Sequence, residues 1–130
     1  MPSKPAPPEH SWTRKFRNAF RGAKLGVRGQ SSFFVHFFAA ATVVAAALAL
    51  SCSLVEWCLL VGSIAAVLAA EMFNTSLERL AKAVDQRHNP HLRDALDIGS
   101  AAVLLAAVGA AAIGAIIFIH RLGDTLDWWK

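Results

Sequence analysis

The sequence contains little cysteine and no phosphate-binding loop. Only two cysteines, Cys52 and Cys58, occur among 130 residues, which is too few for a disulfide framework or a cysteine metal site. They lie six residues apart beside one turn, so a single bridge could form, but two free thiols within a membrane are the preferred interpretation. No segment has the GxxxxGK[ST] spacing of a P-loop. Soluble P-loop proteins are therefore excluded.

Charge is also missing from long stretches of the chain. The composition is 55% hydrophobic, and the apolar residues form runs, for example the uncharged run 57–70. This pattern indicates an integral membrane protein and not a soluble globule. The formal net charge of +4 is typical of some nucleic-acid binders. We reject that function, because the basic residues flank the apolar runs, where they set topology or contact acidic headgroups.

The order of these runs predicts one all-α membrane domain, at residues 11–120. It comprises three transmembrane helices preceded by an amphipathic surface helix. The predicted segments are a disordered tail 1–10, a surface helix 11–29, spans at about 33–50, 55–84 and 95–119, and an interfacial tail 121–130. The second half of span 55–84 is charged, so we expect it to project beyond the bilayer. A turn at 86–91 with Pro90 as the breaker should separate the last two spans.

The surface helix has an apolar stripe and a basic stripe. The basic residues recur at spacings of three and four: Arg14, Arg17, Arg21, Lys24 and Arg28. A basic amphipathic helix of this kind is suited to an anionic membrane surface. Packing against the rest of the protein is a compatible alternative.

Lysine and arginine are distributed unevenly between the segments outside the spans. Seven precede the first span, none lies between the first and second spans, and four lie at positions 79–93, from the charged end of the second span to the start of the third. Basic residues concentrate on the cytoplasmic side of membrane proteins. The distribution therefore predicts that the N-terminus and the segment 79–93 are cytoplasmic.

A polar stripe follows the apolar part of the second span. Glu71, Asn74 and Glu78 are spaced i, i+3 and i+7, so they share one face of a helix. A carboxylate costs about 2.5 to 3.5 kcal/mol at the centre of a bilayer, and less near its surface, so it marks a functional site by default. Polar groups that only bond between helices remain the alternative, and we interpret His36 in the first span in that way.

The stripe has the groups that phosphorylation of a lipid alcohol requires. Glu78 and Asn74 could hold Mg²⁺, which binds one or two carboxylates and leaves other positions to water and phosphate. Glu71, nearer the apolar run, could accept a proton from a hydroxyl. On these residues alone, the structural alternative keeps comparable weight.

Two motifs carry a resemblance to a known family. The segments Glu71-Met-Phe-Asn74-Thr-Ser-Leu-Glu78 and Ala95-Leu-Asp97-Ile-Gly99-Ser100-Ala-Ala-Val resemble those of the prokaryotic diacylglycerol kinase family, which includes undecaprenol kinases. In layout the resemblance covers about residues 12–119. It implies a homotrimer in the bacterial inner membrane, with composite sites between subunits. It also implies transfer of the ATP γ-phosphate, with Mg²⁺, to a lipid hydroxyl at the cytoplasmic surface.

The resemblance assigns roles to individual residues. Glu71 resembles the catalytic base, which meets the lipid acceptor, and Ser100 lies near that acceptor. Asn74 resembles a polar partner of the site. The nucleotide-binding residues that the resemblance implies are Glu78, Asp97, Arg87, His88, Asn89 and Gln30. Of these, Glu78 and Gln30 correspond to the metal ligands.

Two positions depart from the family pattern. Gln30 stands where the family usually has a glutamate that shares the metal, and a glutamine offers a carbonyl oxygen but no charge. Leu96 stands where a lysine usually precedes Asp97. Three interpretations follow: an active kinase with an altered site, which we favour, a kinase for a different lipid or nucleotide, or a catalytically weak relative with an assembly or regulatory role.

Overall fold

The fold consists of four α-helices along the described chain. In this computed structural model the described residues are 11–28, 31–84 and 89–128. They form α1 (Trp12–Val27), α2 (Ser31–Ala49), α3 (Leu54–Val84) and α4 (Pro90–Thr125). The predicted all-α class is confirmed, and the predicted disordered tail 1–10 lies outside the described residues.

Three of the helices are long and apolar enough to cross a membrane, as predicted: α2, α3 and α4. The 31 residues of α3 rise about 47 Å, at 1.5 Å per residue, whereas a hydrocarbon core is about 30 Å thick. One end of α3 therefore extends beyond the apolar layer. That end carries Glu78 and Arg79, so the helix can hold charged groups outside the hydrocarbon while remaining continuous.

The start of α4 differs from the prediction at Pro90. Pro90 does not break a helix but begins one, because a proline at the first helical position has no intrahelical N–H bond to lose. Asn89 directly before it has an extended backbone. Its side-chain oxygen accepts hydrogen bonds from the backbone N–H groups of His91 and Leu92, at 3.0 and 3.3 Å. Asn89 is thus the N-cap of α4.

The end of α4 also differs from the predicted span. The helix continues past residue 119 to Thr125, with the hydroxyl of Thr125 donating to the carbonyl of Arg121 at 2.8 Å. The change to polar residues at 120–125 marks the end of the apolar run. The helix itself continues, because the backbone N–H to C=O hydrogen bonds of an α-helix do not depend on the polarity of the side chains.

α3 is the central helix of the bundle: α4 packs along it most extensively, and α1 and α2 also contact it. α1 is held near the extended end of α3, which we call the α1 end of the bundle. There the Arg79 guanidinium donates to the carbonyl of Leu25 at 2.7 Å. This bond satisfies a carbonyl in the last turn of α1 and places a positive charge at the negative end of the helix dipole.

The opposite end of the bundle has an apolar cluster and an ion pair. Ala47, Leu60 and Ile117 are buried together, one from each spanning helix. Beside them, Arg121 on α4 binds Glu56 on α3, with its Nε 2.9 Å from both carboxylate oxygens. Glu56 also accepts from the backbone N–H of Ser53 at 2.6 Å, an arrangement found in capping boxes. The two longest helices are therefore tied together far from the polar stripe.

Candidate active site

The site centres on Glu71, a buried carboxylate in α3. Its exposed fraction is 5%, and among the described residues α2 supplies two partners for it. The Ser32 hydroxyl donates to Oε1, and Nε2 of His36 lies 3.8 Å from Oε2. Ser32 and His36 are four residues apart on α2, so they project from one face of that helix. A polar pair from α2 thus faces the acid of α3 within an otherwise apolar bundle.

Asn74 lies one turn after Glu71 on α3 and is hydrogen-bonded to Glu78, one turn further on. Its Nδ2 donates to Oε1 of Glu78 at 3.2 Å, and its own side chain is 8% exposed. Its Oδ1 is buried with no hydrogen-bond partner among the described residues. That oxygen lies against Gly99 of α4, where a Cβ would be 2.6 Å from it. Gly99 is therefore the residue that lets α4 approach the polar stripe.

The structure brings three predicted residues together, Glu71, Asn74 and Glu78, and places two others elsewhere. Asp97 is on an outer face of α4, with its side chain 74% exposed and its carboxylate 4.0 Å from Arg93. Ser100 is also exposed and donates to the carbonyl of Leu96 at 3.0 Å. Both side chains therefore lie on exposed faces of α4. Leu96, the position that departs from the family pattern, is half-buried.

The predicted nucleotide-binding turn is described only at its last residue. Asn89 caps α4, so its side-chain oxygen is engaged by backbone N–H groups. Gln30, Arg87 and His88 lie outside the described residues. Their assignment remains a prediction from the family resemblance.

Ser32 and Gly99 were not identified from the sequence as site residues, and His36 was interpreted only as an interhelical group. The i, i+4 spacing of Ser32 and His36 was a detectable signal, since both precede a long uncharged run. It did not reveal their partner, because the pairing of α2 with α3 joins residues 39 apart in sequence. Gly99 is followed by other small residues, Ser100, Ala101 and Ala102. Sequence alone therefore does not show which of them faces Asn74.

An apolar cavity of about 350 Å³ adjoins the site. It lies between α2, α3 and α4, with His36 at its polar end and residues such as Leu60, Val67 and Gly114 in its walls. Because His36 also faces Glu71, the cavity reaches the neighbourhood of the buried carboxylate. The arrangement is thus a carboxylate, a proton acceptor, separated by His36 from a space that suits hydrocarbon.

No group of three or more histidine, cysteine, aspartate or glutamate side chains forms a metal cluster within residues 11–28, 31–84 and 89–128. A dedicated protein cage for a metal is thus not seen there. Glu78 instead offers a single carboxylate, which the Nδ2 group of Asn74 orients by a hydrogen bond, while the Oδ1 of Asn74 is buried against Gly99. One carboxylate fits Mg²⁺ held mainly by phosphates and water, since Mg²⁺ commonly takes only one or two carboxylates from a protein.

The fold and site together define a helical membrane protein of several spans, with a buried acid and polar partners near one end of its apolar layer. Comparison with known proteins makes the class specific. Residues 17–118 match the family described as prokaryotic diacylglycerol kinase. The chain belongs to this family, and it is therefore a lipid kinase.

Two relatives of this chain are named for their activities. The chain is 28% identical over 109 residues to an undecaprenol kinase of Bacillus subtilis (strain 168), a match that covers 84% of this chain and 89% of that protein. It is 30% identical over 108 residues to a diacylglycerol kinase of Synechocystis sp. (strain ATCC 27184 / PCC 6803 / Kazusa), covering 82% of this chain and 62% of that protein. The two relatives are named for different lipid acceptors.

Proposed function

We propose that this lipid kinase transfers the γ-phosphate of ATP to the hydroxyl of a membrane lipid, diacylglycerol or undecaprenol. The observation that carries the proposal is the buried carboxylate of Glu71, whose partner His36 lines an apolar cavity. A burial this deep is costly for an acid that has no function. The relatives support a lipid alcohol as the acceptor, because one is named for each of these lipids.

Glu71 is proposed to act as the general base. As the lipid hydroxyl oxygen bonds to the γ-phosphorus, its O–H bond breaks and the proton passes to the Glu71 carboxylate. The bond between the γ-phosphorus and the oxygen bridging to ADP breaks, and ADP leaves with that electron pair. Phosphoryl transfer depends mainly on positioning and on charge stabilisation. The two contacts from α2 to Glu71 supply part of that positioning.

The proposal includes Mg²⁺ bound with the nucleotide. Glu78, with Asn74 beside it, would hold the ion, and Gln30 is the second ligand that the family resemblance implies. When bound, Mg²⁺ neutralises charge that develops on the phosphates. The bond from Asn74 to Glu78 keeps that carboxylate aligned on the helix face that also bears Glu71.

We further propose a homotrimer, with the N-terminus on the cytoplasmic side of the bacterial inner membrane. The exposed position of Asp97 supports assembly, because a nucleotide ligand on an outer face of α4 can serve a site completed by a neighbouring subunit. The basic residues before α2 and in the segment 79–93 support the orientation. In that orientation Glu78 faces the compartment that contains ATP.

The test is phosphate transfer from γ-labelled ATP in mixed micelles containing diacylglycerol or undecaprenol, with and without Mg²⁺. Wild type should phosphorylate one of the two, and Glu71→Gln should reduce turnover by at least about 10²-fold, the lower range for a general base. The matched control is Asp124→Asn, which also replaces a carboxylate by an amide. Asp124 lies in the last turn of α4, at the end of the bundle away from Glu71, so this variant should remain active. Size-exclusion chromatography should show the same oligomer for all three proteins.

A second comparison tests the assembly alternative. Gln30→Glu should increase activity if the missing carboxylate limits metal binding, since a charged ligand strengthens a magnesium site. Absence of transfer by folded, oligomeric wild type and by Gln30→Glu would contradict the proposal for these acceptors. Retained activity in Glu71→Gln would contradict the assignment of the base.

A further inference from the structure

We propose that His36 is a positioning residue for the phosphotransfer reaction and acts through Glu71. In this role the imidazole Nε2–H donates to Oε2 of Glu71, while Ser32 holds Oε1. The two contacts orient the plane of the carboxylate. The proposal rests on the proposed function, because it assigns a further residue to the same site.

The contacts distinguish the two oxygens of Glu71. Oε1 accepts the Ser32 hydroxyl, and Oε2 faces His36 at 3.8 Å. Each carboxylate oxygen offers about two acceptor positions. Oε2 can therefore accept from His36 on one side and meet the hydroxyl of the acceptor lipid on the other.

The distance from His36 to Glu71 allows this bond to tighten when substrate binds. An N–H···O bond is about 2.7–3.2 Å long, so a movement of less than about 1 Å closes the gap. Catalytic hydrogen bonds are often long in proteins without substrate and shorten in the complex. The exposed fraction of the His36 side chain is 19%, against 7% for Glu71, so His36 is on the more accessible side of the pair.

His36 also lines the apolar cavity, so it lies between the space for a lipid and the Glu71 carboxylate. Val43, two turns further along α2, lines the same cavity. A lipid chain in the cavity would pass His36 before its hydroxyl met Oε2. The imidazole can thus fix the carboxylate while remaining outside the path of phosphate transfer.

The decisive comparison is His36→Gln against His36→Leu. Glutamine keeps a side-chain N–H donor, whereas leucine has a similar volume and no donor. Loss of a hydrogen bond to a charged group predicts that His36→Leu lowers kcat by about 10- to 100-fold. The KM for ATP should stay the same, and His36→Gln should restore most of the lost kcat. His120→Leu, at the opposite end of the bundle, is the control.

A second measurement does not depend on activity. In protein with ¹⁵N-labelled histidine, the His36 ring signals are assigned by their loss in His36→Gln. Glu71→Gln should shift those signals and leave the signals of His120, which pairs with Asp124 at 3.3 Å, in place. A shift supports the direct pairing of the two side chains.

The outcomes separate this inference from the proposed function. Active wild type together with a His36→Leu variant of unchanged kcat would overturn the inference alone. So would unchanged His36 ring signals in Glu71→Gln. Failure of His36→Gln to recover activity, with the protein folded and in the same oligomeric state as wild type, would contradict positioning by a donated hydrogen bond. Absence of lipid phosphorylation by wild type would overturn the proposed function and this inference with it.

Discussion

Substitution of Gly99 by alanine should disturb the polar stripe from the side of α4. A Cβ at this position would lie 2.6 Å from Oδ1 of Asn74 and 3.1 Å from Cδ1 of Leu77. Both distances are shorter than van der Waals contact. Asn74 can yield only by rotating, and rotation breaks its bond to Glu78. The variant should therefore lose stability and misplace Glu78.

The expected magnitude combines two opposing effects. Inserting a methyl group into a packed interior costs about 1–3 kcal/mol. Replacing a helical glycine by alanine recovers about 0.8–1.0 kcal/mol. At Gly109 on the same helix, no heavy atom of the described residues would lie within 4 Å of an added Cβ, so Gly109→Ala should show only the favourable effect. Gly99→Ala should thus be about 1–3 kcal/mol less stable than Gly109→Ala.

The assay is reversible unfolding in mixed micelles with increasing SDS, followed by circular dichroism, with kinase activity measured on the same samples. Removal of the opposing oxygen provides an internal check. In an Asn74→Ala background the cost of Gly99→Ala should shrink, because the two positions are in contact and their effects are not additive. Equal stability of Gly99→Ala and Gly109→Ala would refute the close approach of α4 to Asn74.

Two further predictions concern the opposite end of the bundle. Arg121→Met should lower the thermal unfolding midpoint. The decrease should be much smaller in a Glu56→Gln background, where the ion pair is already weakened. Decreases that simply add in the double variant would contradict the ion pair. In a Cys58→Ser variant, a membrane-impermeant maleimide should label Cys52 from the extracytoplasmic side only, and labelling from the cytoplasmic side would refute the proposed orientation. Burial and the Glu56 carboxylate raise the pKa of the Cys52 thiol. Because the thiolate is the reactive form, labelling should be slow at neutral pH and accelerate as pH rises.

Helix formation and helix count could be predicted from local sequence alone. Within a bilayer, the backbone N–H and C=O groups of a long uncharged run have no water to bind. They must form hydrogen bonds within the segment itself, and an α-helix provides these bonds. The i, i+3, i+7 spacing likewise placed Glu71, Asn74 and Glu78 on one face before any tertiary information. Helix ends were predicted less well, since Pro90 is compatible with either a break or a first turn.

The partners of the polar stripe were not predictable in the same way. Three spans rich in alanine and leucine can pack in several rotations, because a bilayer gives no hydrophobic preference for one apolar face over another. Only the packed bundle shows that α2 directs Ser32 and His36 toward Glu71. Only the packed bundle shows Gly99 against Asn74, and Asp97 on an exposed face of α4.

The sequence by itself determined the helical class, the three spans, the position of the buried acid and, through its two motifs, the kinase family. These properties depend on residues close together in the chain, where hydropathy and helical periodicity act directly. Tertiary structure decided which groups touch the acid, how closely α4 approaches it and where the apolar cavity lies. Those properties depend on side-chain contacts between helices that are distant in sequence, and such contacts exist only once the helices have packed.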